Sequence, residues 1–151
     1  MFWFKRILVV GTLVSLTLPV CAFTFSYGSW LNVKGVERKN NTVQLPLTRQ
    51  KYKNVKITDK LLYQFLSQCQ TDCQYPQPKQ NFEIIESRAA ASREGMWIAD
   101  IELNNEIILT VLVFKNKKGL AVKLPDVVEF KDKSLQKQIE KAVQTQIEQT
   151  L

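Results

Sequence analysis

Between residues 81 and 125 the chain reads NFEIIESRAAASREGMWIADIELNNEIILTVLVFKNKKGLAVKLP, four apolar or alternating runs parted by SREG, NN and KNKKG. Each separator has turn chemistry. Residues 92–95 suit a four-residue hairpin loop with Gly95 in the left-handed region, Asn104 and Asn105 suit a two-residue loop that needs positive φ, and Gly119 closes a lysine-rich loop. The pattern predicts an antiparallel meander with strands over 82–91, 96–103, 106–114 and 119–124. With Asn104 and Asn105 as the whole loop, Leu103 is expected opposite Glu106, and Ile101, Ala99 and Trp97 opposite Ile108, Thr110 and Leu112. One face then collects Trp97, Ala99, Ile101, Leu103, Ile108 and Leu112, with Phe114 at its end. The other collects Met96, Ile98, Ile107, Leu109, Val111 and Val113, beside Asp100 and Glu102. A strand that is apolar on both sides belongs at the centre of a sheet, and either a second layer or a partner is expected over its second face.

Upstream, residues 30–38 and 42–48 predict an N-terminal β-hairpin turning near Lys39, Asn40 and Asn41; Pro46 cannot donate to a ladder, which puts the second strand at an edge. The aromatic stretch FTFSYGSW before it reads as a lead-in that docks in part. Thr58 or Asp59 is expected to cap a helix whose buried face is Leu61, Leu62, Phe65, Leu66 and Cys69, ending near Gln70. Residues 126–131 form a short link of undetermined type. A C-terminal amphipathic helix then starts around 132–134 and buries Leu135, Ile139, Ala142, Val143 and Ile147. The order β-β-α-β-β-β-β-α predicts the α+β class, one antiparallel sheet with the two helices packed on it.

The first 22 residues change where this domain is expected to work. Lys5 and Arg6 precede an uncharged apolar run that ends in Val20, Cys21 and Ala22, the pattern of a secretory signal peptide cleaved after Ala22. The alternative, a lipoprotein with Cys21 lipidated, wants a residue smaller than Val20 before the cysteine. Cleavage leaves a single α+β domain over residues 23–151, expected in the periplasm, with 19 of the 21 basic residues against 14 acidic ones. Cys69 and Cys73 are then an even pair in an oxidising compartment, and a disulfide between them is expected. Its short loop limits the stabilisation to about 2 kcal/mol and makes it a stop for the helix.

The chain has no histidine, which removes serine–histidine and cysteine–histidine nucleophilic sites and histidine-bearing metal sites. Two mature cysteines are too few for an iron–sulfur or all-cysteine zinc site, and the five glycines stand singly, so no metal, cofactor or phosphate loop is expected. A redox role for Cys69 and Cys73 is disfavoured, because exchange-active pairs stand closer together and at a helix start. Asp100 and Glu102, with Glu83 or Glu86 on the neighbouring strand, are the one arrangement open to carboxylate chemistry such as glycan hydrolysis; a solvated half-face explains them more simply.

Charge is the stronger pointer. Residues 23–80 carry nine basic against three acidic residues, whereas residues 81–151 carry ten against eleven. Lys34, Arg38, Lys39, Arg49, Lys51, Tyr52, Lys53 and Lys56 are therefore the candidate partner-binding residues. They suit an acidic envelope protein or an anionic lipid or lipopolysaccharide surface, with nucleic acid the weakest fit. A lysine-rich solvated face that blunts an edge strand is the plain alternative. The expected function is non-enzymatic: a binding or accessory component of envelope machinery, such as a secretion assembly, acting through the basic half or an apolar sheet face. A carrier or sensor of an apolar ligand, or an inhibitor or immunity-type protein, is the alternative.

Overall fold

The computed structural model describes residues 21–40, 42–46, 54–76 and 78–151. The chain is α+β, as its pattern predicts, but its strands form two five-stranded sheets where one was expected. The first sheet contains β1 (Cys21–Tyr27), β2 (Leu31–Lys39), β3 (Thr42–Gln44), β5 (Cys73–Tyr75) and β10 (Val128–Phe130). The second contains β4 (Val55–Ile57), β6 (Phe82–Ala89), β7 (Met96–Leu103), β8 (Ile107–Asn116) and β9 (Gly119–Lys123). Helix α1 (Lys60–Gln68) lies against β3, β4 and β5, and α2 (Lys133–Glu148) against β6, β9 and β10.

The two sheets share a plan. A long strand, β2 or β8, is paired along one side by a full-length neighbour, β1 or β7. Its other side is divided between two short strands: β10 and β3 on β2, β4 and β9 on β8. All pairs are antiparallel except β1 with β5, which are parallel. Buried residues of both sheets and both helices form one hydrophobic cluster.

The predicted meander is the core of the second sheet, and Gly95, Asn104, Asn105 and Gly119 all take positive φ as their turns require. Its register is one residue out. The tight turn at Asn104 and Asn105 forms, with the Glu106 N–H donating to the Leu103 carbonyl at 2.9 Å, but Glu106 is then inserted before the ladder resumes with Leu103 opposite Ile107. Because side chains alternate, that slip moves the whole of β8 to the other face relative to β7. Ile107, Leu109, Val111 and Val113 therefore lie with Ala99, Ile101 and Leu103 in the core. Ile108, Thr110, Leu112 and Phe114 lie outside with Met96, Ile98, Asp100 and Glu102. Tertiary contacts hold Glu106 in place: its Oε1 accepts from the Tyr27 hydroxyl at 2.7 Å, and its carbonyl from the Thr58 N–H at 2.9 Å.

Other expectations need smaller corrections. The aromatic lead-in is a central strand of the first sheet, with Phe23, Phe25, Tyr27 and Trp30 all buried. Cys21 and Ala22 are part of β1, paired with Arg38 and Glu37. Residues 128–130 of the unassigned link are β10. Asp59 caps α1 as foreseen, its Oδ2 accepting from the Leu62 N–H at 2.9 Å, but Leu61 is 71 % exposed. Only Leu62, Leu66 and Cys69 of the expected face are buried, with Phe65 packed at the margin, because a nine-residue helix wedged between strand ends buries a narrow stripe. Helix α2 starts from the Asp132 cap and buries Leu135, Ile139, Val143 and Ile147.

Candidate functional site

The described basic candidates, Lys34, Arg38, Lys39 and Lys56, stand on two different sheets. Lys34 is on β2 and pairs with Glu129 at 3.0 Å; the hydrogen bond and charge of Lys34 hold the Glu129 carboxyl below its ordinary range. Arg38 points to the end of α1, its Nη1 donating to the carbonyls of Ser67 and Cys69 at 3.4 Å each, where a cation also meets the negative end of the helix dipole. Lys39 is exposed at the end of β2. Lys56 belongs to the other sheet, exposed on β4 opposite Ile108. Arg49, Lys51, Tyr52 and Lys53 lie outside the described residues.

Cys69 and Cys73 form the expected disulfide, with Cα atoms 6.0 Å apart. Its role is wider than a helix stop. Cys73 opens β5 and pairs with Phe25, so the bridge ties the end of α1 to the edge of the first sheet.

Where the structure gathers chemistry is the outward face of the second sheet. Reading across β8, β7 and β6 and the short strand beside β8, its residues fall into four rows whose neighbours stand about 4.5–5.5 Å apart. Lys56, Ile108, Glu102 and Glu83 form the first row; Thr110, Asp100 and Glu86 the second. Lys123, Leu112, Ile98 and Arg88 form the third. Ala121, Phe114 and Met96 form the fourth, closed by Ala90, whose N–H donates to the Met96 carbonyl at 2.8 Å. Side-chain contacts within the face agree with this register. Thr110 Oγ1 donates to Asp100 Oδ1 at 2.6 Å, Arg88 pairs with Glu86 at 3.0 Å and lies 3.9 Å from Asp100, and the Arg93 guanidinium sits 5.6 Å from the centre of the Phe114 ring.

Met96, Ile98, Ile108, Leu112 and Phe114 are half-buried, yet none belongs to the core cluster or packs against it. Among the described residues neither helix packs on this side. The four carboxylates considered for catalysis do share the face, Glu83 opposite Glu102 and Glu86 opposite Asp100, but on an open sheet surface, with Asp100 engaged by Thr110. Sequence reasoning missed the face through the inserted Glu106, which made Ile107, Leu109, Val111 and Val113 look like the outward set.

Where the two sheets meet lies a second polar cluster. Tyr27 is fully buried; its hydroxyl donates to Glu106 and accepts from Asn104 Nδ2 at 3.3 Å, and its pKa is driven strongly upward by burial and by the Glu106 hydrogen bond. Tyr75, its ring stacked on Tyr27 at 5.7 Å, is shifted the same way by the same causes. Outside them a cleft of about 470 Å3 is lined by Pro76, Pro78, Lys79 and Asn105, among others. Tyr27, Asn104 and Glu106 are hydrogen-bonded to one another across the two sheets, which makes this cluster a clasp between them. A cleft of similar size, about 480 Å3, runs between Ile84 of β6 and the Gln138, Lys141 and Thr145 side of α2.

No protein family matches the chain, and neither curated proteins nor solved structures match it. Among the described residues no helix is long and apolar enough to cross a membrane, and none of their Cys, Asp and Glu side chains cluster as a metal site would need. The disulfide is compatible with an exported protein.

Proposed function

We propose that this chain is an exported, non-enzymatic binding protein of the periplasm, an accessory component of cell-envelope machinery that works by docking through the outward face of its second sheet. One observation carries the reading: five large apolar side chains, Met96, Ile98, Ile108, Leu112 and Phe114, sit together outside the core on a face that no described element covers. Apolar groups that are contiguous on a solvent-facing surface and rimmed by charge, even half-buried ones, mark interaction sites more than scattered ones do. The basic-half reading keeps less support. Of its described members Lys34 is paired with Glu129 and Arg38 with the α1 carbonyls, while Lys56 flanks the apolar face and would serve a partially acidic partner there. A carrier of an apolar ligand is likewise weaker, since the two clefts described are open and lined largely by polar side chains.

Photo-crosslinking in intact cells tests the docking reading. A photoreactive residue at position 112 is expected to give a discrete adduct, and one at Asn32, on the outward face of the first sheet, none. An adduct from position 32 with none from position 112 would overturn it.

A further inference from the structure

Resting on that docking face, we infer that its occupant is a second copy of the chain, the two second sheets packed face to face about a two-fold axis that runs parallel to the strands between β7 and β8. The inference comes from the rows. Such an axis keeps every row in place and exchanges its ends, setting β8 over β7 of the second copy and the β4 and β9 side over β6 of the second copy. In the third row Leu112 then meets Ile98 of the second copy, and in the fourth Phe114, with Arg93 of its own chain beside the ring, meets Met96 and Ala121 meets Ala90. Apolar groups thus fall on apolar groups in the half of the face that contains most of them. In the first row the same operation sets Lys56 over Glu83, opposite charges at the two margins of the contact, and Ile108 over Glu102, the one large apolar group that it lays on a carboxylate. In the second, Thr110 comes over Asp100, its own hydrogen-bond partner within each copy.

One juxtaposition is of like charge, Lys123 over Arg88, and it is moderated because Arg88 already holds Glu86 at 3.0 Å. The other orientation, with the axis across the strands, would lay the acidic rows on the apolar ones and leave Ile98 and Leu112 against carboxylates and hydroxyls. The first rotation opposes one large apolar group to a carboxylate, Ile108 to Glu102, whereas the second opposes Met96, Ile98 and Leu112 to carboxylates or a hydroxyl, and an isologous contact favours the rotation with fewer such oppositions. Strands about 4.8 Å apart and rows about 6.8 Å apart give a patch of roughly 500 Å2 per copy, at the low end for a specific interface, so a weak dimer is expected.

Sedimentation of the purified protein between about 1 µM and 500 µM decides this, with expected dissociation in the micromolar range. Leu112→Glu is expected to give a monomer at every concentration with its circular dichroism unchanged, since the side chain is outside the core. Lys56→Glu and Glu83→Lys, each turning an attraction into a repulsion at both margins, are expected to weaken dimerisation about 10-fold. Combining them restores it, a result that a general effect of charge or folding does not produce. A protein that stays monomeric at the highest concentration, a dimer indifferent to Leu112→Glu, or a charge exchange without rescue each overturns the inference. A monomer whose position 112 still crosslinks to a different protein in cells removes the second copy and keeps the docking face; a monomer with no such adduct removes both.

Discussion

The two sheets are built to one plan and differ in what they turn outward. On the first, the outward residues are Thr24, Ser26, Asn32, Lys34, Gln74 and Glu129. Four of them satisfy one another: Ser26 Oγ donates to Asn32 Oδ1 at 2.7 Å and Lys34 pairs with Glu129. On the second, the corresponding positions hold Met96, Ile98, Ile108, Leu112 and Phe114 beside the carboxylates. The strands already differ in kind. In β1, AFTFSY alternates cleanly, as a strand does with one face in water, whereas β8 reads IILTVLVF with hardly a polar break. The contrast teaches that the apolar outward face is not a by-product of the architecture, since the same architecture next to it does without one.

The largest expected effect tests which face of β8 is the core. Leu109→Ala, at a fully buried position, is expected to cost about 2–5 kcal/mol in urea unfolding, and Leu112→Ala, three residues on and on the opposite face, under about 1 kcal/mol. Equal costs for the two would mean that the outward face is buried in the isolated chain and that the contrast between the sheets is false.

Next is the clasp that joins them. Tyr27→Phe leaves the Glu106 carboxylate without the Tyr27 donor and is expected to cost about 1–3 kcal/mol. It carries a pH signature as well. The Tyr27 hydroxyl is raised above its ordinary value of 10.0, so the unfolded chain loses this proton first. Its contribution is complete below pH 10 and is lost as pH rises from there toward the folded-state value. The wild type should therefore lose stability above that point more steeply than Tyr27→Phe, as followed by urea unfolding at a series of alkaline pH values. Parallel curves would show that the sheets are held by apolar contact alone.

Much of this was legible locally and some of it could not have been. The meander's turns follow from Gly95, Asn104, Asn105 and Gly119, and the helix starts from Asp59 and Asp132, because each depends on a few neighbouring residues. Register did not follow. It turns on Glu106, whose partners Tyr27 and Thr58 are 79 and 48 residues away and belong to other elements. The short strands β5 and β10, three residues each, carry no period to read, and without them the first sheet looks like a lone hairpin. The described members of the basic cluster stand on different elements, Lys34, Arg38 and Lys39 on β2 of the first sheet and Lys56 on β4 of the second, because closeness along the chain does not fix closeness in space. Of the described candidate residues, Lys56 falls on the face now favoured.

A third prediction concerns the margin of the first sheet. Cys73→Ser, with Cys69 left in place, is expected to lower stability by about 2 kcal/mol without preventing folding, because the closed loop is short and β5 retains its pairing with β1. Failure to fold would show that the bridge organises the sheet edge as well as the helix end.

The smallest expected effects separate the outward faces most directly. Lys34 and Lys56 are both exposed lysines on strands, one on each sheet. Changing either to Gln removes a charge that lies in water, and exposed charges contribute little to folding, so neither melting temperature should move beyond error. Association should separate them. Lys34 has its carboxylate, Glu129, within its own sheet, and its removal is expected to leave sedimentation and crosslinking from position 112 unchanged. Lys56 sits at the edge of the apolar rows, and Lys56→Gln is expected to weaken association there by a few-fold, the more so at low ionic strength because such charges act only over about 8–10 Å in ordinary salt. If Lys34→Gln is the variant that weakens binding, the contact belongs to the first sheet, and the apolar rows of the second must find another explanation.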